Sequence, residues 1–145
     1  MRAVLWCNGM SPSNEVIESV ISPQTPVFGV DGGADKASEA GVEVEGVLGD
    51  LDSCNREYWK DKAIQISDQT KSDLAKSIAH LVGIGYEQIE IVGADGGSPE
   101  HILGNWGALI ESPTVPSLRI HHEDSISTRL SPGDVFKMRV GSGEV

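Results

Sequence analysis

Carboxylates recur in three short stretches of this chain: Asp31-Gly32-Gly33-Ala34-Asp35, Gly49-Asp50-Leu51-Asp52-Ser53 and Asp68-Gln69-Thr70-Lys71-Ser72-Asp73. Carboxylate oxygens are hard ligands for divalent cations, and magnesium in particular bridges such ligands to substrate phosphates. Each stretch follows an apolar segment that predicts a strand, at residues 27–30, 44–48 and 63–66. In an open parallel sheet, ligands bind beyond the carboxyl ends of the strands. Three acidic loops distant in sequence are therefore expected to open onto one rim. Crowded there, they would repel one another unless a cation sat among them.

Each stretch has a chemical reading and a plainer one. In the first, Asp31 would hold a metal, while the glycines let backbone approach a phosphate at a helix start. An Asp-capped turn between strand and helix accounts for the same residues. Asp50 and Asp52 are two residues apart. In extended backbone they point to the same side, about 6–7 Å apart, and one or two divalent ions could bridge them. The alternative is a pair of solvated carboxylates, with Asp52 or Ser53 capping the next helix. In the third stretch Ser72 suits a helix cap and Lys76 falls near the first turn. A cation there opposes the helix dipole, which a bound anion would explain. A solvated lysine beside a carboxylate is the simpler account.

A fourth stretch is rich in glycine: Gly93-Ala94-Asp95-Gly96-Gly97-Ser98-Pro99-Glu100-His101, followed by Asn105. Pro99 suits a first helical position. His101 and Asn105, four apart, share one helix face. The loop would cover a nucleotide, or else simply connect a strand to a helix with one solvated side. It is neither a P-loop nor a dinucleotide fingerprint.

The elements that must position these residues alternate. Strands are predicted at 2–7, 27–30, 44–48, 63–66 and 88–92. Helices are predicted at 14–21, 34–40, 55–61, 72–81 and 99–110, with Ser11-Pro12-Ser13 opening the first and Gly41 closing the second. This is the pattern of a three-layer α/β/α domain with a mostly parallel sheet. After Pro113 and Pro116 only strands are predicted, at 118–122, 126–130 and 135–140, with a turn at 131–134. The expected organisation is an α/β catalytic domain over residues 1–114, then a short incomplete antiparallel β segment over 115–145. Two or three strands alone leave exposed edges, so truncation or completion by a partner chain is expected.

The 145 residues carry a net charge of −11. That excludes a basic nucleic-acid footprint and disfavours an anionic membrane surface. No apolar run reaches a membrane span, and residues 1–9 are too short and wrongly flanked for a signal peptide. Cys7 and Cys54 have no zinc-ligand spacing and read as thiols of a reducing cytoplasm.

In order and spacing, the four stretches resemble the catalytic domain of thiamin pyrophosphokinases. That family carries a DGGAN-like loop, then GDFDS, DQ-x-x-TD-x-x-K and GG-R-x-DH-x-x-x-N. The likeness covers roughly residues 2–112; in the family a small β-sandwich follows, of which 115–145 would be a part. The resemblance implies transfer of a pyrophosphoryl group from ATP to the thiamin hydroxyl, with magnesium as cofactor and release of AMP. It also implies a homodimer with its active site between subunits. Asp31, Asp50, Asp52 and Asp73 would be the metal ligands, and Asp50, Asp52 and Asp73 the catalytic carboxylates. Ser53, Gln69, Ser72 (a hydroxyl kept in place of Thr), Lys76, Gly96 and Gly97 would face the nucleotide phosphates. His101 and Asn105 would line the nucleotide side of the pocket. This chain departs from the pattern at Ser98, where the family has arginine, at Glu100, where it has Asp, and at Thr70, often acidic there. Losing the arginine removes a planar bidentate phosphate donor. The alternatives it raises are a related pyrophosphokinase acting on a hydroxymethylpterin, or a nucleotide-binding domain without turnover.

Overall fold

The computed structural model describes residues 1–115 and 117–139. Its strands are Arg2–Trp6 (β1), Val27–Val30 (β2), Gly46–Gly49 (β3), Ala63–Gln65 (β4), Gln88–Val92 (β5), Ser117–His121 (β6) and Ile126–Arg129 (β7). Its helices are Asn14–Val20 (α1), Gly33–Glu39 (α2), Arg56–Trp59 (α3), Asp73–Gly83 (α4) and Pro99–Glu111 (α5). All seven strands join one sheet in the order β4-β3-β2-β1-β5-β6-β7. Every pairing from β4 to β6 is parallel, and only β7 runs antiparallel to its neighbour.

Local chemistry sets the helix starts. The side chains of Ser13, Asn55, Ser72 and Ser98 each accept a hydrogen bond from a backbone N–H in the first turn of α1, α3, α4 and α5. Such a cap satisfies one of the donors that a helix start leaves without a partner. Pro99 follows its cap at the start of α5, where its missing N–H costs nothing.

Two apolar layers flank the sheet. Ala3, Leu5 and Cys7 face one side and pack with Phe28, Leu48, Ile91 and the α4 residues Leu74, Ile78 and Leu81. Val4 and Trp6 face the other side, with Val47, Val92, α1 residues Val16 and Val20, and α2 residues Ala34 and Ala37. Alternation along β1 thus serves both cores, the period-two geometry of a strand buried on both faces. Burial pushes the Cys7 thiol up to about 12, so it is an inert core group.

The chain begins in the middle of the sheet, builds β2, β3 and β4 to one side, then returns through α4 to place β5 and β6 on the other. The loops after β1 and β5 meet at this switch of strand order, the Gly9 N–H donating to the Gly93 carbonyl at 2.8 Å and the Met10 N–H to the Asp95 carbonyl at 2.7 Å, and together they line one groove at the strand ends. The tail differs from expectation. β6 and β7 pair antiparallel as expected, but β6 also pairs in parallel with β5, so the sheet continues through the expected boundary at 114/115. The turn after β7 is present, closed by Asp134 N–H donating to the Ser131 carbonyl at 3.0 Å. Residues 135–139 form no strand, and Val140 lies outside the described residues. Val135, Phe136 and Met138 are exposed and gain no packing that would fix a strand. The Arg129 guanidinium donates to the carbonyls of Leu109, Ser112 and Pro113, tying β7 to the end of α5.

Gly33 sits where α2 meets β1, and a Cβ there would run into the Trp6 carbonyl and the Cys7 backbone. Gly33→Ala is expected to destabilise the fold by about 1–3 kcal/mol, read as a lower denaturation midpoint; an unchanged midpoint would contradict that close approach. A second test concerns Glu90, whose Oε2 lies 2.6 Å from His121 Nε2 across β5 and β6. Burial opposes its ionisation, but the hydrogen bond with His121 and the charges of His121, Arg119 and Arg2 outweigh it, holding the carboxyl below its ordinary range. A depressed pKa stabilises the fold above the unfolded value, about 4.3, and that contribution is lost as pH falls through the folded value. Glu90→Gln should therefore be less stable than the parent near neutral pH, and the gap should narrow as pH falls below the unfolded value, about 4.3, and on through the lower folded one. A gap independent of pH would contradict the pairing.

Candidate active site

Asp31, Asp50 and Asp73 come together at the carboxyl ends of β2 and β3 and the start of α4. One carboxylate oxygen from each lies within 4.8 Å of the others. Asp31 directly follows β2 in left-handed backbone, with φ at 49°. Its N–H donates to the Leu48 carbonyl at 2.8 Å. Its two carboxylate oxygens accept from the Ser53 N–H at 3.0 and 3.1 Å. Asp73 opens α4 beside its cap, Ser72. Gly49, at φ 131°, leaves room between them: a Cβ there would stand 3.4 Å from Asp73 Cγ and 3.6 Å from Asp31 Cβ.

The spacing of Asp50 and Asp52 predicted two carboxylates on one side. The structure separates them. Leu51 is left-handed, with φ at 66°, so the segment turns instead of extending. Asp50 Oδ1 then accepts from the Asp52 N–H at 3.2 Å. The Asp52 side chain faces out and pairs with Arg56 at 2.8 Å. Asp50 stays with the cluster and Asp52 does not.

Lys76 is neither a solvated lysine nor a group lining the cavity. It is 5% exposed, with Nζ 2.7 Å from Asp73 Oδ1 and donating to the Ile66 carbonyl at 3.3 Å. Asp73 Oδ1 is itself buried and accepts no hydrogen bond of good geometry, the lysine lying off the hydrogen-bond axis. Three carboxylates and one ammonium leave two negative charges in this small volume. At an effective dielectric of about 20, each pair of carboxylates at this separation repels by roughly 3 kcal/mol or more. A divalent cation would match that charge, and the donor set, all carboxylate oxygen, suits magnesium. The buried, incompletely satisfied Asp73 Oδ1 fits the same occupant.

A cavity of about 450 Å³ opens beside the cluster and is lined by Asn8, Asp31, Ser53, Ser72, Asp73, Glu100, His101 and Asn105, among others. His101 and Asn105 share one face of α5, as their spacing predicts. Asn105 Nδ2 also donates to the Ala94 carbonyl at 2.9 Å, anchoring the glycine loop. Gly96 and Gly97, at φ 80° and 88°, line an adjoining groove with Asn8, Lys36, Ser98 and His101. Gln69 is exposed in its loop and lines neither space. A further cleft, of about 560 Å³, lies at the other end of β2, and among the described residues its charged lining is only Glu43 and Glu45.

Two groups at this rim escape a reading of the acidic stretches alone. Asn8 follows β1, and the strand-end rule that selects the other loops would have found it. Lys36 carries no such signal, since its partners lie in the β1 loop. Beyond the rim, His122 bridges Asp95 (Nδ1 to Oδ1, 2.5 Å) and Ser127 (Nε2 to Oγ, 2.8 Å), fastening β7 to the glycine loop. No sequence spacing links those three.

Fold and site together define an open α/β domain with a carboxylate centre of metal-ligand type at its strand ends. The family described as thiamin pyrophosphokinase, catalytic domain, matches residues 17–121, and the chain belongs to that family. No match to a curated protein was found. Among solved structures, a probable thiamine pyrophosphokinase from Staphylococcus saprophyticus is 29% identical with a TM-score of 0.60, over 77% of this chain and 58% of that one. Thiamin pyrophosphokinase from Geobacillus thermodenitrificans is 21% identical with a TM-score of 0.65, over 83% and 59% of the two chains. Thiamin pyrophosphokinase from Candida albicans is 17% identical with a TM-score of 0.65, over 82% and 57%. At 21% and 17% identity the likeness shows the fold. The chain spans less than two thirds of each of these relatives.

Relief of repulsion gives the candidate metal centre a distinctive test. Asp50→Asn should leave the metal-free protein as stable as the parent or slightly more so, and should abolish the rise in melting temperature that magnesium or manganese produces. For the parent that rise corresponds to about 2.7 kcal/mol at a hundredfold excess over Kd. A variant still stabilised by metal to the parent's extent would remove Asp50 from the site.

Proposed function

We propose that the chain carries the ATP- and magnesium-binding part of a thiamin pyrophosphokinase, which transfers a pyrophosphoryl group from ATP to the hydroxyl of thiamin. The observation that carries this reading is the convergence of Asp31, Asp50 and Asp73 at the strand ends, in a chain of this family. In the transfer, the thiamin oxygen forms a bond to the β-phosphorus, and the bond from that phosphorus to the oxygen bridging to the α-phosphate breaks, releasing AMP. When bound, magnesium supplies charge neutralisation at the phosphoryl oxygens.

The chain's own residues do the rest. Asp31, Asp50 and Asp73 hold the cation, and Lys76 orients Asp73 from beneath. Gly96 and Gly97 bring backbone against the phosphates from the groove, while Ser53 and Ser72 face them from the carboxylate cavity. His101 and Asn105 line the nucleotide side. A carboxylate of the site accepts the hydroxyl proton. Asp52 and Gln69 stand outside the cavity in this arrangement and take part only if their loops close over the ligand. The reading includes a homodimer in the cytoplasm.

One observation favours a second reading, a nucleotide-binding domain without turnover. Ser98 stands where the family has arginine, and its Oγ is taken up in accepting the His101 N–H at 3.3 Å. AMP formation separates the readings. The protein with ATP, magnesium and thiamin is expected to release AMP in step with thiamin diphosphate. AMP with hydroxymethylpterin alone would move the reaction to that acceptor. ATP binding without AMP from either acceptor would leave only the second reading.

A further inference from the structure

We propose that Lys36 supplies the phosphate-binding positive charge that Ser98 cannot, making it a determinant of polyphosphate affinity in this chain. The inference rests on the reading above, that the site takes ATP.

Charge makes the case. The carboxylate cavity and the glycine-loop groove are separate spaces that share Asn8 and His101 on their walls. The first is acidic and the second is not. Among the residues lining the two, Lys36 is the sole lysine or arginine. The other basic group of the site, Lys76, is buried against Asp73 and committed to it. A linear polyphosphate carries about four negative charges near neutral pH, and one divalent cation offsets two of them. Its remaining charge cannot rest on the carboxylate side, so it needs a cation in the groove.

Lys36 is held for that role. Its Nζ donates to the carbonyls of Asn8 at 3.0 Å and Gly9 at 2.5 Å. An ammonium has three donors, so one remains for a ligand in the groove. The two carbonyls also fix the side chain before any ligand arrives, which lowers the ordering cost of binding. Lys36 projects from α2, directly after the Asp31 turn, so one short segment provides both a metal ligand and this cation.

The test separates charge from anchoring. Lys36→Gln keeps an N–H donor for the two carbonyls and removes the charge; Lys36→Arg keeps the charge. Titration calorimetry with magnesium ATP, and with magnesium tripolyphosphate as a base-free probe, is expected to show at least a tenfold loss of affinity in Lys36→Gln for both ligands. Lys36→Arg should stay near the parent. Adding Ser98→Arg to Lys36→Gln should restore most of the loss, because it returns a cation to the other wall of the groove. Parent-like affinity in Lys36→Gln, with the parent binding ATP, would overturn the role of Lys36 and leave the proposed function standing. Failure of the parent to bind either ligand with magnesium would overturn both. If Lys36→Gln does not fold, Ser98→Arg in the parent background decides: an affinity gain as large as that expected in Lys36→Gln would show that the groove had no effective cation and overturn the inference, whereas a small gain supports it.

Discussion

Three carboxylates held within 4.8 Å of one another are the constraint on which this rim depends. Left to themselves they would separate, since each gains by moving toward water. The fold prevents that by drawing each from a different element. Asp31 ends β2, Asp50 follows β3 and Asp73 opens α4. The parallel register of β2 and β3 puts two of those ends side by side. Left-handed backbone at Asp31 and Leu51 then turns the chain at each of these strand ends. Strain of this kind persists only where surrounding structure over-determines it. Here that structure is a sheet whose central strand is buried on both faces.

Lys76 answers part of the repulsion and does so from inside the core. A lysine this deeply buried is tolerated because its ammonium faces a carboxylate and a carbonyl. It also links the two halves of the molecule's economy of charge. Asp31 and Asp73 line the cavity, while Lys36 lines the groove beside it. Sign therefore changes across Asn8 and His101, at the groove that the loops after β1 and β5 line together. A ligand with metal-bound and free anionic parts would lie along that change.

Much of the scaffold was legible because local rules govern it. Apolar runs bounded by turns marked β1, β2 and β5; Ser13 and Ser72 marked helix starts through the hydrogen bonds they offer, and Pro99 marked another through its fixed φ. Gly41 marked the end of α2 through the positive φ it adopts. The tail read less well. A run such as Phe136-Lys137-Met138-Arg139 has strand-like alternation, yet a strand needs an edge to pair with, and alternation does not say whether one is present. That β6 would extend the parallel sheet was hidden for the same reason: pairing partners are set by the whole topology.

The candidate site divides along the same line. The sequence alone determined which residue types follow which strands, and hence that Asp31, Asp50 and Asp73 would share one rim with a glycine loop beyond it. It also carried the family, through the order of four short motifs. The tertiary structure decided which neighbours work together. Asp50 and Asp52 looked equivalent by spacing, and one left-handed residue between them sent Asp52 out to Arg56. Lys76 looked exposed and proved to be buried beneath Asp73. Lys36 came into view only once β1 and α2 were packed. The physical reason is that spacing constrains backbone position, whereas burial, charge pairing and access depend on contacts between segments that no local pattern records.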